Sequence, residues 1–121
     1  GTLPEPVAET DFLKKVKQTF EVGCVMHSRQ TGRLIQKVAL CGGAGAFLLP
    51  NAVRANADVF ITGEVKYHDY FFYEKDILIA AIGHYESEQY TKEIFYSILK
   101  EMFPRLTVEM TRVNTNPIKY L

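Results

Sequence analysis

The chain has 121 residues, 47% of them hydrophobic, and is long enough to bury one core of ordinary domain size. The charges of its 14 basic and 14 acidic side chains cancel, so the formal net charge is zero. This argues against the broad positive field that attracts nucleic-acid phosphates. No apolar run approaches the roughly 20 residues that cross a bilayer, and no signal-peptide pattern opens the sequence. We therefore expect a soluble, cytoplasmic protein that binds neither nucleic acid nor membrane.

The N-terminal third predicts a linker, a helix and a short strand. Residues 1–8 indicate an extended linker, because each of their two prolines biases the preceding residue away from helix. An amphipathic helix is predicted to begin at Thr10 or Asp11. Its apolar face carries Phe12, Leu13, Val16 and Phe20. A short strand within residues 21–28, followed by a turn, is the simplest interpretation of the next segment.

Three short apolar runs alternate with helical segments in the middle of the chain. They are Lys37–Cys41, Asp58–Thr62 and Ile77–Ile82. Because such runs are apolar on both faces, they suit parallel strands that are covered by helices on each side. The sequence predicts an α/β fold, with βαβ units around a mixed, mostly parallel sheet and helices on both faces, in one domain over residues 9–121.

The C-terminal region predicts one long helix and one edge strand. The helix should begin near Tyr85 and end before Pro104. Its apolar positions are Ile94, Phe95, Ile98, Leu99 and Met102. Alternation over residues 106–112 predicts a strand toward a sheet edge, followed by an irregular tail. The two cysteines, expected free and buried within strand-like stretches, are Cys24 and Cys41.

The three apolar runs all end in a glycine turn with polar residues. These ends read Cys41-Gly42-Gly43, Thr62-Gly63-Glu64 and Ile82-Gly83-His84. Ligands of open parallel sheets bind beyond the carboxyl ends of the strands, so the three loops are expected to converge on one cleft. Glu64, His84 and the first glycine loop should therefore be neighbours.

Two histidine–carboxylate pairs flank this expected cleft. His84 and Glu88 are four residues apart at a helix start, which places both side chains on one face, and Glu64 and His68 repeat the spacing in reverse. Imidazole with carboxylate suits zinc, manganese, iron or nickel better than magnesium or calcium. Such a pair is nevertheless more often an exposed hydrogen-bonding pair, and a tightly held ion usually has three protein ligands or more.

Two further segments of the sequence each allow more than one interpretation. The glycine loop over residues 41–47 could cradle a phosphate through backbone N–H groups, but it lacks the lysine of a P-loop. A tight turn and close strand-to-helix packing explain it better. An aromatic block favours the core or a subunit interface over base stacking. Its members are Tyr67, Tyr70, Phe71, Phe72 and Tyr73.

Taken together, residues 38–45, 58–69 and 83–88 resemble the motifs of the Nif-three family, and the resemblance runs from Gly1 to Leu121. That family is associated with a dinuclear metal centre in an α/β fold. The resemblance implies that this chain is the family's C-terminal domain, without the N-terminal domain and without the PII- or CutA-like insert of some members.

By the same resemblance, His84 and Glu88 are metal ligands, and Glu64 or His68 is a general acid or base. The intact protein is expected to hold two divalent ions, drawn from zinc, manganese, iron or nickel. The family's remaining ligands, a His-His pair and an Asp, have no match here. This chain alone is therefore expected to retain little or no metal and to show no turnover.

The family label of a GTP cyclohydrolase type-two homologue implies a metal-dependent hydrolase with a small-molecule or phosphate-containing substrate. Family members resemble toroidal hexamers, so a homo-oligomer is expected. The competing hypothesis is a non-catalytic, metal-binding module for oligomerisation or regulation.

Overall fold

The structure is a computed structural model that describes residues 1–121. Its strands are β1 (Thr2–Ala8), β2 (Met26–His27), β3 (Leu34–Cys41), β4 (Val59–Thr62) and β5 (Leu78–Ala81). Its helices are α1 (Glu9–Thr19), α2 (Leu49–Arg54), α3 (Tyr67–Tyr73), α4 (His84–Glu88) and α5 (Thr91–Met102), with a 3₁₀ turn at Gly45–Leu48. The chain forms two compact units, Gly1–Ser87 and Glu88–Leu121.

The first unit is built on a five-stranded sheet with the order β1-β3-β4-β5-β2. The three central strands run parallel, whereas β1 and β2 pair antiparallel at the two edges. The predicted α/β fold with a mixed, mostly parallel sheet is therefore confirmed. All residues of β4 and β5 are buried, as expected for strands of a sheet that is covered on both faces, whereas most of β3 is exposed or partly buried.

Helices cover both faces of this sheet, as predicted. On one face, α1 buries Phe12, Leu13 and Val16 against alternate residues of β4 and β5. On the other face, α2 contributes Leu49 and Ala52, and α3 adds two partly buried tyrosines. Because side chains alternate across each strand, Phe60 and Ile79 point to the second face while Ile61 and Ala80 point to the first.

The N-terminal residues correct the linker prediction, because residues 2–8 form β1, an edge strand paired with β3. Pro4 and Pro6 are tolerated there, since an edge strand needs fewer ladder donors than a central one. The pairing register shifts between Thr2 and Val7, across the two prolines.

The strand expected within residues 21–28 shrinks to the two residues of β2. Val22 is buried, but Cys24 is exposed in the loop before β2, which corrects the expectation that both cysteines are buried. Cys41 is partly buried at the end of β3. An apolar run of this length indicated a strand, yet only its last residues find a partner in β5.

Glu9, the first residue of α1, anchors the loop that leads into β3. Glu9 is 4% exposed as a residue, and its carboxylate accepts hydrogen bonds from the Thr31 N–H at 2.9 Å, the Thr31 hydroxyl at 2.7 Å and the Gly32 N–H at 2.9 Å. Burial alone would raise the pKa of Glu9, but these hydrogen bonds and the nearby Arg33 charge lower it below its ordinary value.

The C-terminal region differs from its predicted form. The single long helix is instead α4 and α5, with Gln89 and Tyr90 between them. The apolar spacing within α5 could not reveal this break, because no Gly or Pro marks it. The strand expected over residues 106–112 is absent, since alternation defines a face but supplies no partner strand. None of the helices is long and apolar enough to cross a membrane.

Candidate functional site

The loops after β3 and β4 are joined through the carbonyl oxygen of Gly43. This oxygen accepts the N–H of Gly63 at 2.9 Å and the N–H of Glu64 at 3.1 Å. It also accepts the hydroxyl of Thr62 at 3.1 Å, and the same hydroxyl oxygen accepts the N–H of Gly45 at 3.0 Å. Four hydrogen bonds thus hold the first glycine loop against the end of β4.

Ser87 joins the loop after β5 to the same cluster. Its hydroxyl donates to the carbonyl oxygen of His84 at 2.8 Å and accepts the N–H of Gly43 at 2.9 Å. The N–H of Gly83 donates to the carbonyl oxygen of Gly63 at 3.0 Å. The predicted convergence of the three loops is therefore confirmed. The bridging role of Ser87 was missed, and the only signal for it was a hydroxyl three residues after a histidine at a helix start.

Close packing explains why glycine is needed in this strand-end loop cluster, defined as residues 41–45, 62–64 and 83–87. A Cβ atom on Gly63 would lie 2.7 Å from the Gly43 carbonyl oxygen and 2.9 Å from the His84 Cα. Gly43 itself has a φ of 62°, which favours glycine. The N–H groups of Gly43 and Gly45 are already bonded within the protein, so packing, not phosphate binding, accounts for the first loop.

The imidazole of His84 meets the carboxylate of Glu64, as the convergence of the strand ends predicted. His84 Nδ1 lies 2.9 Å from Glu64 Oε1, and the two side chains are 46% and 57% exposed. Because an ionised carboxylate only accepts, the imidazole donates from Nδ1 in this pair.

His68 is not brought to the cluster. It lies exposed on α3, where its ring packs edge-on against Tyr67 with the centroids 5.3 Å apart. No hydrogen bond joins it to Glu64 or His84. The adjacent Asp69 accepts the N–H of Lys66 at 3.3 Å and so caps the start of α3. The four-residue spacing predicted that Glu64 and His68 lie on one face of a helix. Glu64 instead lies in the loop before α3, so the spacing does not bring the two side chains together.

Glu88 is the last residue of α4 and the first of the second unit. His84 begins the same helix, so the sequence spacing of one helical turn is kept. Across residues 1–121, no group of three or more His, Cys, Asp or Glu side chains could hold a metal ion. The donors present are an imidazole and carboxylates. They suit part of the ligand shell of a transition metal but do not complete it.

A cleft of 670 Å³ opens beside Glu64, between the first two loops. Its lining residues are Ala44, Ala46, Phe47, Pro50, Glu64, Val65, Lys66, Asp69 and Tyr73. Two carboxylates and one ammonium give this lining one net negative charge. Phe47 is 75% exposed, so an aromatic face is available at the cleft. Glu64 is thus the residue that connects the cleft to His84.

The aromatic block of α3 divides between core and surface. Tyr70 and Tyr73 pack on the buried cluster beneath α2, whereas Tyr67, Phe71 and Phe72 are exposed. Burial raises the pKa of the Tyr70 hydroxyl. The block therefore serves the core through two of its members only.

Known proteins match nearly the whole chain. The sequence model of the Duf34/NIF3 (NGG1p interacting factor 3) family matches residues 1–117. A Staphylococcus aureus (strain COL) relative named "GTP cyclohydrolase 1 type 2 homolog" is 31% identical over 116 residues, which are 92% of this chain and 31% of the relative. A Staphylococcus epidermidis relative of the same name is 29% identical over 99% of this chain and 34% of its own length. The chain spans about a third of these relatives.

Solved structures share the fold. Staphylococcus aureus protein SA1388 superposes with a TM-score of 0.84 at 24% identity, over 99% of this chain and 40% of that one. A Bacillus cereus protein related to NIF3 gives 0.80 at 22% identity, over 100% and 35%. The protein YbgI gives 0.74 at 27% identity, over 84% and 41%.

Proposed function

Because the chain belongs to the Duf34/NIF3 (NGG1p interacting factor 3) family, we propose that it supplies one wall of a divalent-metal site in a metal-dependent hydrolase. The observation that carries the proposal is the strand-end loop cluster, which holds His84 with its Nδ1 bonded to Glu64. Metal-binding histidines commonly donate their other ring N–H to a carboxylate in this way.

His84 and Glu88 are the proposed protein ligands from this chain. Two divalent ions, zinc, manganese, iron or nickel, are proposed for the intact site, with further ligands from outside this chain because no group of three donors exists within it. Such ions supply Lewis acidity, which acidifies water and offsets negative charge on a substrate undergoing hydrolysis. The chain's own residues hold the imidazole and shape the cleft.

The 670 Å³ cleft is the proposed substrate site. Its volume suits a small molecule, and the Phe47 ring can pack on a flat group while Lys66 can pair with a phosphate. Glu64 is the proposed general acid or base of this chain, because it reaches both the cleft and His84. His68 has no corresponding support. From the GTP cyclohydrolase name of the relatives, we propose for this chain only the reaction class, metal-dependent hydrolysis.

A zinc titration of the chain by calorimetry tests the ligand assignment. We expect weak binding that is lost in His84→Ala and in Glu88→Ala. His27→Ala is the matched control, because His27 is an exposed histidine on β2 outside the loop cluster. Equal zinc binding in the wild type and in both ligand variants would refute the assignment.

A second candidate function is a metal-binding module for homo-oligomer assembly. One observation favours it, namely that α5 has no buried residue although its apolar positions face one side of the helix. Ile94, Phe95 and Met102 are each more than half exposed. Two measurements separate the hydrolase from the assembly module. They are the oligomeric state and the hydrolysis of nucleotide and phosphoester substrates by the metal-loaded protein, each with and without chelator. Chelator-sensitive turnover supports the hydrolase, and a metal-dependent change of oligomeric state without turnover supports the module.

A further inference from the structure

Another pocket lies at the amino ends of the parallel strands, at the opposite end of these strands from the strand-end loop cluster. Its residues come from the loop before β3 and from the turn between α3 and β5. It measures 290 Å³ and is lined by Arg29, Gln30, Thr31, Arg33, Glu74 and Lys75. Three of these side chains are cations and one is an anion, so the lining carries two net positive charges although the whole chain carries none.

Hydrogen bonds hold Arg33 in this pocket. Its Nε donates to the Thr31 hydroxyl oxygen at 3.1 Å, and its Nη2 donates to the carbonyl oxygens of Asp76 at 2.7 Å and of Lys75 at 3.4 Å. These bonds tie the start of β3 to the start of β5, across β4, which lies between them. They use Nε and Nη2 and leave the two N–H groups of Nη1 without a partner in the chain.

The loop that carries the other arginine is fixed as well. The Glu9 carboxylate accepts the N–H and the hydroxyl of Thr31. The amide Nε2 of Gln30 donates to the Thr10 hydroxyl oxygen at 3.1 Å. The two residues that follow Arg29 are therefore both anchored to α1. A ligand that enters the pocket does not need to order this backbone, which lowers the entropy cost of binding.

The cations of the pocket are not neutralised by the pocket's own carboxylate. The side chains of Arg29 and Lys75 make no hydrogen bond or ion pair. Glu74 makes no ion pair with either of them or with Arg33. Glu9 offsets part of the Arg33 charge, because these two groups interact electrostatically. The remaining positive charge favours an anion as the ligand.

We propose that this pocket binds a small phosphate-bearing anion, with Arg29, Arg33 and Lys75 as its ligands. Phosphate oxygens accept paired N–H groups from a guanidinium, and a dianion matches the two net positive charges of the lining. A volume of 290 Å³ is at the lower limit of ligand pockets, so it suits a phosphate group with a small organic part. The pocket shares no lining residue with the cleft beside Glu64, so its ligand binds independently of the proposed metal site.

Titration with inorganic phosphate at constant ionic strength, followed by backbone ¹H–¹⁵N NMR, tests the site. We expect saturable shifts of the Thr31 and Arg33 signals, and much smaller ones with acetate. Arg29→Ala and Lys75→Ala should each weaken phosphate binding about tenfold in these signals, and neither change removes a hydrogen bond of the fold. Lys17→Ala is the matched control, because Lys17 is an exposed cation in the last turn of α1 and does not line this pocket.

Lys66→Ala separates this pocket from the cleft beside Glu64, which also has a cation for a phosphate. Shifts of the Thr31 and Arg33 signals that persist in Lys66→Ala support the proposed pocket. Their loss in Lys66→Ala would overturn it, because they would then come from the cleft. Wild-type affinity in Arg29→Ala or in Lys75→Ala would overturn the ligand assignment. Equal shifts with acetate, or an equal loss in Lys17→Ala, would show only general attraction between charges and would also overturn it.

Discussion

The two compact units use similar apolar side chains in opposite ways. In the first unit Phe60 is 2% exposed between the sheet and α2, whereas in the second unit Phe95 on α5 is 60% exposed. The first unit also carries the strand-end loop cluster, whose loops are joined by buried and partly buried hydrogen bonds and in which the Ser87 hydroxyl bonds the His84 carbonyl oxygen. The first unit therefore positions His84 and Glu64, while the apolar face of α5 adds little to the stability of the folded chain.

The largest expected effect comes from truncating one phenylalanine in each unit. Phe60→Ala leaves a cavity in a packed core and should lower the free energy of unfolding by about 3 to 5 kcal/mol. Phe95→Ala removes an exposed side chain and should change it by less than about 0.5 kcal/mol. Urea unfolding followed by circular dichroism gives both values. A loss of unfolding free energy from Phe95→Ala as large as that from Phe60→Ala would show that α5 is packed as tightly as the sheet core.

A smaller effect is expected in the strand-end loop cluster. Gly63→Ala places a Cβ 2.7 Å from the Gly43 carbonyl oxygen, so backbone must move at a cost of about 1 to 3 kcal/mol. Gly23→Ala is the matched control, because nothing lies within 4 Å of its added Cβ. Thermal unfolding measures the cost, and the His84 ring signals in NMR report whether the site is displaced. Unchanged His84 signals in Gly63→Ala would contradict the proposed packing of the loops around this residue.

The third prediction concerns Glu9 and the pH dependence of stability. The pKa of Glu9 is lowered in the folded chain. Its contribution to the free energy of unfolding is therefore fully present at pH values above the ordinary glutamate pKa. That contribution is lost as the pH falls through the ordinary value toward the lowered folded value. Glu9→Gln should cost about 1.5 kcal/mol near neutral pH, because its amide cannot accept the Gly32 N–H in the same place.

Urea unfolding of wild type and Glu9→Gln at a series of pH values checks this prediction. The gap between the two proteins should narrow as the solution is acidified. A gap that stays constant down to strongly acidic pH would show that the carboxylate charge is not what stabilises the loop. Glu5→Gln, on the exposed edge strand, serves as the control for the general effect of removing a negative charge.

The sheet and the meeting of Glu64 with His84 could be predicted from the sequence because each had one physical interpretation. Runs that are apolar on both faces require a sheet covered on both sides, and the carboxyl ends of parallel strands meet at one edge. The glycines at those ends then placed Glu64 and His84 side by side.

Other features depend on contacts that no local pattern encodes. The role of Ser87 follows from the backbone of Gly43, 44 residues away in the chain, which turns its N–H toward the Ser87 hydroxyl. His68 shared a spacing with Glu64 but lies on α3, and the helix alone decides where its side chain points. The alternation over residues 106–112 was real but had no partner strand. Local patterns thus predicted elements well and tertiary partners poorly.

We propose that the strand-end loop cluster presents His84 as the metal-binding histidine of this chain. The chain has three histidines, His27, His68 and His84, so paramagnetic broadening of their ring NMR signals during a cobalt titration compares them in one experiment. We expect the His84 signals to broaden at the lowest cobalt concentration, well before those of His27 and His68. Broadening of His27 or His68 first, or of all three together, would contradict it.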